Sequence, residues 1–126
     1  MDPKTIAIIG ASANRKKYGN KAVRAYKAQG YTVYPVNPKE AEIEGLPAYK
    51  SILDIPGPVE MASFYVPPAV GMKVIGEVAM KGVKEVYLNP GADSEELFYK
   101  AESLGIRPII ACSILAVGMN PKEMED

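Results

Sequence analysis

Arg15, Lys16 and Lys17 follow directly on the small-residue run Gly10-Ala11-Ser12-Ala13-Asn14. Residues without bulk let a backbone turn tightly and keep its N–H groups within reach of a ligand. The Ser12 hydroxyl adds a donor, and at least one of the three cations can reach a bound anion. Apolar Thr5 to Ile9 precedes the run, and Tyr18 to Gln29, with helical spacing, follows it. A buried strand that delivers a tight turn into a helix N-terminus makes an anion site, because unpaired N–H groups and the helix dipole both favour negative charge there. The same residues also suffice for an ordinary strand-to-helix turn with three solvated charges.

The spacing narrows the anion. No second or third glycine follows Gly10 at the G-x-G-x-x-G interval, which disfavours NAD. After the next apolar stretch, Tyr31 to Val36, the acidic residue that would hold a ribose diol is replaced by Asn37-Pro38 and then Lys39. A cation there suits an extra phosphate on the ribose, as in NADP or in the 3′-phosphate of coenzyme A (CoA). Farther along, Pro67-Pro68 offers a rigid apolar wall, Asn89-Pro90-Gly91 a turn with an amide side chain, and Cys112 a thiol at a strand's carboxyl end. Each also reads as plain punctuation or, for Cys112, as a small buried hydrophobe.

Composition excludes much other chemistry. The chain has no histidine and a single cysteine, which removes Ser-His-Asp triads, Cys-His pairs, zinc clusters and an internal disulfide. Metal ligands are therefore not expected, and with the usual general base at neutral pH missing the balance tilts from catalysis toward binding. Fifteen basic residues balance fifteen acidic ones, so no global field draws the protein to nucleic acid or a membrane, and any anion site must be local. With no apolar segment long enough for a signal peptide or a membrane span, a cytoplasmic protein is expected. The 126 residues, 48% of them hydrophobic, suit one domain over residues 1–126.

The elements that must position these residues alternate. Strands are expected at Thr5–Ile9, Tyr31–Val36, Met61–Val66, Val83–Leu88 and Ile106–Ala111. Helices are expected over Tyr18–Gln29, after Pro67-Pro68, and from Asp93 with a capping box, closed in turn by Gly30, Gly82 and Gly105. The first helix places Ala22, Val23 and Tyr26 inward and Lys21, Arg24 and Lys27 outward. Val70, Val74, Ile75, Val78 and Ala79 form the inner stripe of the second, and Leu97, Phe98, Ala101 and Leu104 that of the third. Pro35 suits a strand end or an unpaired position. Residues 37–50 read as a surface connection with at most a short turn of helix or strand, and Ser51 caps a brief helix. Strands alternating with helices at this interval predict an α/β fold, a Rossmann-like, doubly wound parallel sheet of about five strands in three layers. Ligands of such sheets bind beyond the carboxyl ends of the strands, where the candidate loops all lie.

Taken in order, Ile8-Ile9-Gly10-Ala11-Ser12, Gly30 to Lys39, Ile43 to Tyr49 and Tyr65-Val66-Pro67-Pro68 resemble the stand-alone CoA-binding domain proteins. These are similar to the N-terminal domain of the succinyl-CoA synthetase α subunit and of ADP-forming acyl-CoA synthetases. The resemblance implies that Gly10, Ala11, Ser12, Ala13 and Asn14, with Arg15 adjacent, face the phosphates of CoA or an acyl-CoA. It also implies that Lys39 meets a phosphate, that Val36, Asn37 and Pro38 flank the adenosine, and that Val66 and Pro67 form an apolar edge. Asn89, Pro90 and Gly91 stand where the synthetases have a polar loop of different sequence. Cys112 to Pro121 is similar to their Asn-Cys-x-Gly segment, with Leu115 or Ala116 in place of the glycine.

The synthetases form a phosphohistidine in a second domain and close the site with a partner subunit. This chain has no histidine, so acyl-CoA synthetase activity is not implied, and a non-catalytic carrier, sensor or regulatory module is expected. Alternatives are an NADP-dependent oxidoreductase, disfavoured by the lack of a Tyr-x-x-x-Lys pair, and a non-binding accessory subunit of a synthetase-like complex. A homo-oligomer or a synthetase-like protein is the expected macromolecular partner. Cys112, if near the CoA thiol, is placed for a mixed disulfide with it.

Overall fold

A computed structural model of the chain describes residues 4–126. The first strand, β1 (Thr5–Ile9), is an apolar run with no polar face, and Ile6, Ala7 and Ile8 are fully buried. A strand of that kind has to lie inside a sheet covered on both sides. It pairs in parallel with β2 (Thr32–Val36) on one side and β5 (Met61–Phe64) on the other. β6 (Glu85–Leu88) and β7 (Arg107–Ile110) continue the sheet in parallel, giving the order β2-β1-β5-β6-β7. This is the expected doubly wound α/β arrangement.

The two sides of the sheet follow from the strand pleat. Ile6 and Ile8 point to the layer that holds α1 (Tyr18–Ala28) and pack with Val23 and Tyr26. Ala7 and Ile9 point the other way, toward α2 (Pro68–Met80) and α3 (Glu95–Ser103), and share a core with Ile75, Val78 and Leu97. Pro68 occupies the first turn of α2, where its missing N–H costs nothing. All three helices stop two residues short of the glycine expected to close them, Gly30, Gly82 or Gly105, each with positive φ. Among the described residues no helix is long and apolar enough to cross a membrane.

Several local expectations are corrected. Lys21 does not face solvent: it is 9% exposed, and its ammonium donates to the Pro121 carbonyl at 3.2 Å. Val70 and Leu104, expected on inner stripes, are exposed, while Gly71 is buried against Leu97 and Phe64. The cap of α3 is Ser94, one residue after the expected Asp93. Its hydroxyl accepts from Leu97 N at 3.0 Å, so Glu96 is in the wrong position to complete a box. Residues 37–50 contain a small hairpin, β3 (Glu42–Ile43) and β4 (Leu46–Pro47), turned by Glu44 and Gly45 with φ of 50° and 78°. A single turn at Ile52–Asp54 is capped by Ser51, as expected. Cys112 leads into a one-turn helix, α4 (Ser113–Ala116).

Both edge strands contain a proline. Within β2 the carbonyl of Val36 accepts from Gly10 N on the β1 side, so Pro35 faces outward, where its carbonyl accepts from Tyr49 N at 2.9 Å. Within β7, Arg107 N donates inward to Lys84 O, and the next residue, Pro108, turns its nitrogen out of the sheet.

Candidate functional site

Strand order reverses between β1 and β5, so the loops that follow these strands flank a crevice at the carboxyl edge of the sheet. The approach is close. Gly10, at φ +87°, lies where a Cβ would collide with the Tyr65 carbonyl and Val66, so a side chain is excluded there on two counts.

The carbonyls of the first loop are tied back by side chains. Asn37 Nδ2 donates to Ala11 O at 2.8 Å, Asn20 Nδ2 to Ser12 O at 2.9 Å, and Arg24 Nη2 to Arg15 O at 3.0 Å. Ser12 Oγ accepts from Asn14 N, and Asn14 Oδ1 from Lys16 N. With the acceptors engaged, the amides of Ser12, Ala13, Tyr18 and Gly19 have no hydrogen-bond partner among the described residues. The N-terminus of α1 has no side-chain cap and no acidic residue in its first turn. Of these residues Ser12, Tyr18 and Gly19 border a hollow of about 390 Å³ whose walls also include Gly10, Asn37, Lys16 and Lys17. Free donors, a helix N-terminus and two lysines at one hollow are the requirements of a phosphate site.

Arg15 is placed differently from its neighbours. Its guanidinium turns away from the hollow and pairs with Glu44 at 2.5 Å, on the tip of the β3–β4 hairpin. Asn20 Nδ2 bonds the other Glu44 oxygen at 3.0 Å. The Asn20 hydrogen bond, then that of Arg15, hold the Glu44 carboxyl below its ordinary range against the opposing effect of burial. The hairpin therefore braces the loop from outside.

At the end of β2, the Val36 side chain lies in the core, and its carbonyl receives both Gly10 N and Ala11 N. Asn37 Oδ1 accepts from Lys39 N at 2.7 Å and Glu40 N at 3.1 Å, an Asx turn that leaves Pro38 and Lys39 exposed at the rim. Lys39 forms no ion pair among the described residues.

Beyond β5 the walls become apolar. Val66 and Pro67 border a hollow of about 270 Å³ together with Tyr65, Pro90 and Gly91. The Asn89 side chain, a candidate from the sequence for hydrogen bonding to a ligand, is engaged within the protein. It is 2% exposed, and its Nδ2 donates to Ser63 Oγ and Phe64 O, both at 2.8 Å, while its Oδ1 accepts from Ser113 N at 2.8 Å. Ser113 Oγ shares hydrogen bonds with Ser63 Oγ and Tyr65 Oη, and Ser113 O accepts from Tyr26 Oη. This buried network fastens the ends of β5 and β6 to α4. Burial pushes the Tyr65 phenol up to about 12, so it stays a neutral hydroxyl.

Cys112, half-buried, faces a third cavity of about 380 Å³ with Tyr18, Tyr65, Pro90, Leu115 and Pro121 around it. Tyr18 and Tyr65, neither of them among the site residues expected from the sequence, are walls of both this cavity and the hollow after β1, and Tyr65 also borders the hollow beside Pro67. Tyr18 stands between Lys17 and Gly19 and Tyr65 between Phe64 and Val66, and neither setting separates a site tyrosine from a structural one. All the candidate loops are thus brought to one edge of the sheet, with Lys39 at its rim and Arg15 turned aside.

A Rossmann-like sheet whose first loop presents free amides and lysines, with an apolar crevice beside it, is the arrangement of many nucleotide-binding proteins. Comparison with known proteins specifies the class. The profile of the CoA binding domain family matches residues 4–118, and the chain belongs to that family. It is 43% identical over 89 residues to the α subunit of ADP-forming acetate–CoA ligase II from Pyrococcus furiosus, covering 70% of this chain and 20% of that one. ADP-forming acetate–CoA ligase from Methanocaldococcus jannaschii is 39% identical over 101 residues, 80% of this chain and 14% of the ligase. The chain therefore spans a fifth or less of these relatives and corresponds to their CoA-binding region. Among solved structures, a conserved hypothetical protein from Pyrococcus furiosus superposes with a TM-score of 0.81 at 37% identity, covering 90% of this chain and 98% of the other. Dinucleotide forming acetyl-coenzyme A synthetase 1 of Ca. Korarchaeum cryptofilum, in complex with phosphate and ADP, superposes with a TM-score of 0.77 at 31% identity over 88% of this chain and 26% of its own.

Proposed function

We propose that this chain is a module that binds CoA or an acyl-CoA at the carboxyl edge of its sheet. The carrying observation is the hollow after β1, where loop carbonyls are tied back while the amides of Ser12, Tyr18 and Gly19 stand free beside Lys16 and Lys17. The diphosphate of CoA fills that hollow. Its adenosine and 3′-phosphate lie toward Pro38 and Lys39, and its pantetheine arm crosses the ends of β5 and β6 past Val66, Pro67, Pro90 and Gly91.

The module is non-catalytic, a carrier, sensor or regulatory unit, and it acts in the cytoplasm. Among the described residues no carboxylate lines the three cavities at this edge, and the chain has no histidine, which favours a site without a carboxylate or imidazole base at the proposed thiol end. Its relatives' names mark some of them as α subunits, which favours a synthetase-like protein as the macromolecular partner.

Titration calorimetry of the full chain with CoA, dephospho-CoA and NADPH tests this reading. CoA should bind, dephospho-CoA about tenfold more weakly through loss of the Lys39 contact, and NADPH should not compete with CoA. Absence of binding by CoA rejects the reading. Equal affinity for CoA and dephospho-CoA removes Lys39 from it.

A further inference from the structure

The cavity beside Cys112 has features that a site for CoA alone does not require. Its walls are mostly apolar, formed by Tyr18, Tyr65, Pro90, Leu115 and Pro121. The one buried polar side chain among them, Asn89, has its amide engaged with Ser63, Phe64 and Ser113, so it offers the cavity no unsatisfied group. Tyr65 Oη is bound to Ser113 Oγ. The other polar lining residues, Asn120 and the charged Lys122, are exposed at its border. An ionised group carried into such a space would lose its water without gaining a buried counter-charge, whereas an apolar group would gain by leaving water.

The cavity is also built rather than incidental. Its floor is fixed from beneath, where Tyr26 Oη and the Ser63–Asn89 pair hold Ser113 at the start of α4. One wall comes from Pro121, which is buried and whose carbonyl is held by the equally buried Lys21 of α1. Residues 119–126, which include this wall, lie outside the stretch matched by the family profile. Because Tyr18 and Tyr65 serve both spaces, a ligand with phosphates in the first hollow can extend into the second.

We propose that this cavity holds the acyl group of an acyl-CoA, and that the acyl group is a short, uncharged hydrocarbon chain. The assignment rests on the CoA reading above and adds the class of thioester to it. At about 380 Å³ the space is of the size of small-ligand pockets. The chain is thereby a receptor for acyl-CoA in preference to free CoA.

Calorimetry of the full chain with CoA and its acetyl, butyryl, hexanoyl and succinyl thioesters is the test. Affinity should rise by about fourfold for each methylene fully buried, until the cavity is full. Succinyl-CoA, which ends in a carboxylate, should bind more weakly than butyryl-CoA. Leu115 is 58% exposed at the mouth, so Leu115→Trp can obstruct the cavity without disturbing the core. In that variant the ratio of butyryl-CoA to CoA affinity should fall to about one. CoA binding with no dependence on chain length overturns the acyl site while leaving the CoA reading intact. A chain-length dependence that survives Leu115→Trp, or tighter binding of succinyl-CoA, overturns it as well. Failure of every thioester and of CoA itself would instead reject the parent reading.

Discussion

Gly19, in the first turn of α1, rests directly on the carbonyl of Gly10 at the end of β1, and a Cβ at Gly19 would overlap that oxygen. In dinucleotide-binding loops a glycine close to the first one permits this approach of helix to strand. Here the loop is longer, and the glycine that permits the approach arrives nine residues after Gly10. The helix N-terminus is thereby brought against the strand end without the G-x-G-x-x-G interval.

Gly19→Ala should therefore destabilise the fold by about 1–3 kcal/mol, the usual cost of overpacking. It should also weaken CoA binding, because α1 must retreat from the hollow. Urea denaturation and calorimetry on the same variant measure both effects, and Gly76→Ala, at a half-buried position where a Cβ meets no neighbour within 4 Å, is the control for a glycine substitution in a helix.

Lys16 and Lys17 border the hollow after β1, whereas Arg15 is paired with Glu44. Substituting Lys16 and Lys17 together by Ala should lower CoA affinity by about tenfold or more at low salt and flatten its dependence on ionic strength. Arg15→Ala should affect thermal stability more than affinity. Comparable losses of affinity from the two variants would contradict the division of roles.

Glu44 supplies a pH dependence. Its carboxyl is held below the ordinary value by Asn20 and Arg15 in the folded protein, so the unfolded chain binds the proton more readily. The stabilisation is complete above the ordinary carboxylate range and is lost as pH falls through the folded value. Urea midpoints measured from pH 7 down to pH 3 should decline, and Glu44→Gln should remove part of that decline while being less stable at pH 7.

Asn89→Ala leaves Ser113 N–H and Phe64 O without their buried partner, a loss of about 2–4 kcal/mol. Asn89→Asp should cost at least as much, because a carboxylate would face the Phe64 carbonyl across the distance now closed by an N–H donor. Denaturation midpoints of the two variants check the order.

What the sequence disclosed, and what it hid, divides by the range of the interactions. The five strands, the Ser51 cap, Pro68 in the first turn of α2 and the three closing glycines are local patterns, and each is present near its expected place. The side-chain assignments that failed depend on distant partners. Lys21 reads as a solvent-facing lysine until Pro121, a hundred residues away, covers it. Asn89 reads as an available turn amide until Ser63 and Ser113 surround it. Glu44 stands in an unpatterned connection, and nothing nearby announces that its carboxylate will meet Arg15 and Asn20. The loops of the site were legible because the topology of a parallel sheet gathers them at one edge, while the division of labour among their side chains was set by tertiary contacts.

The outward-facing nitrogens of Pro35 and Pro108 bear on how copies of the molecule meet. A strand approaching either side of the sheet finds a position that cannot donate to it, and on the β2 side it finds Tyr49 already bonded there. Growth of the sheet from molecule to molecule is thus blocked at both borders. At each border, then, a proline sets a limit on the width of the sheet at the point where a sixth strand would have to bond.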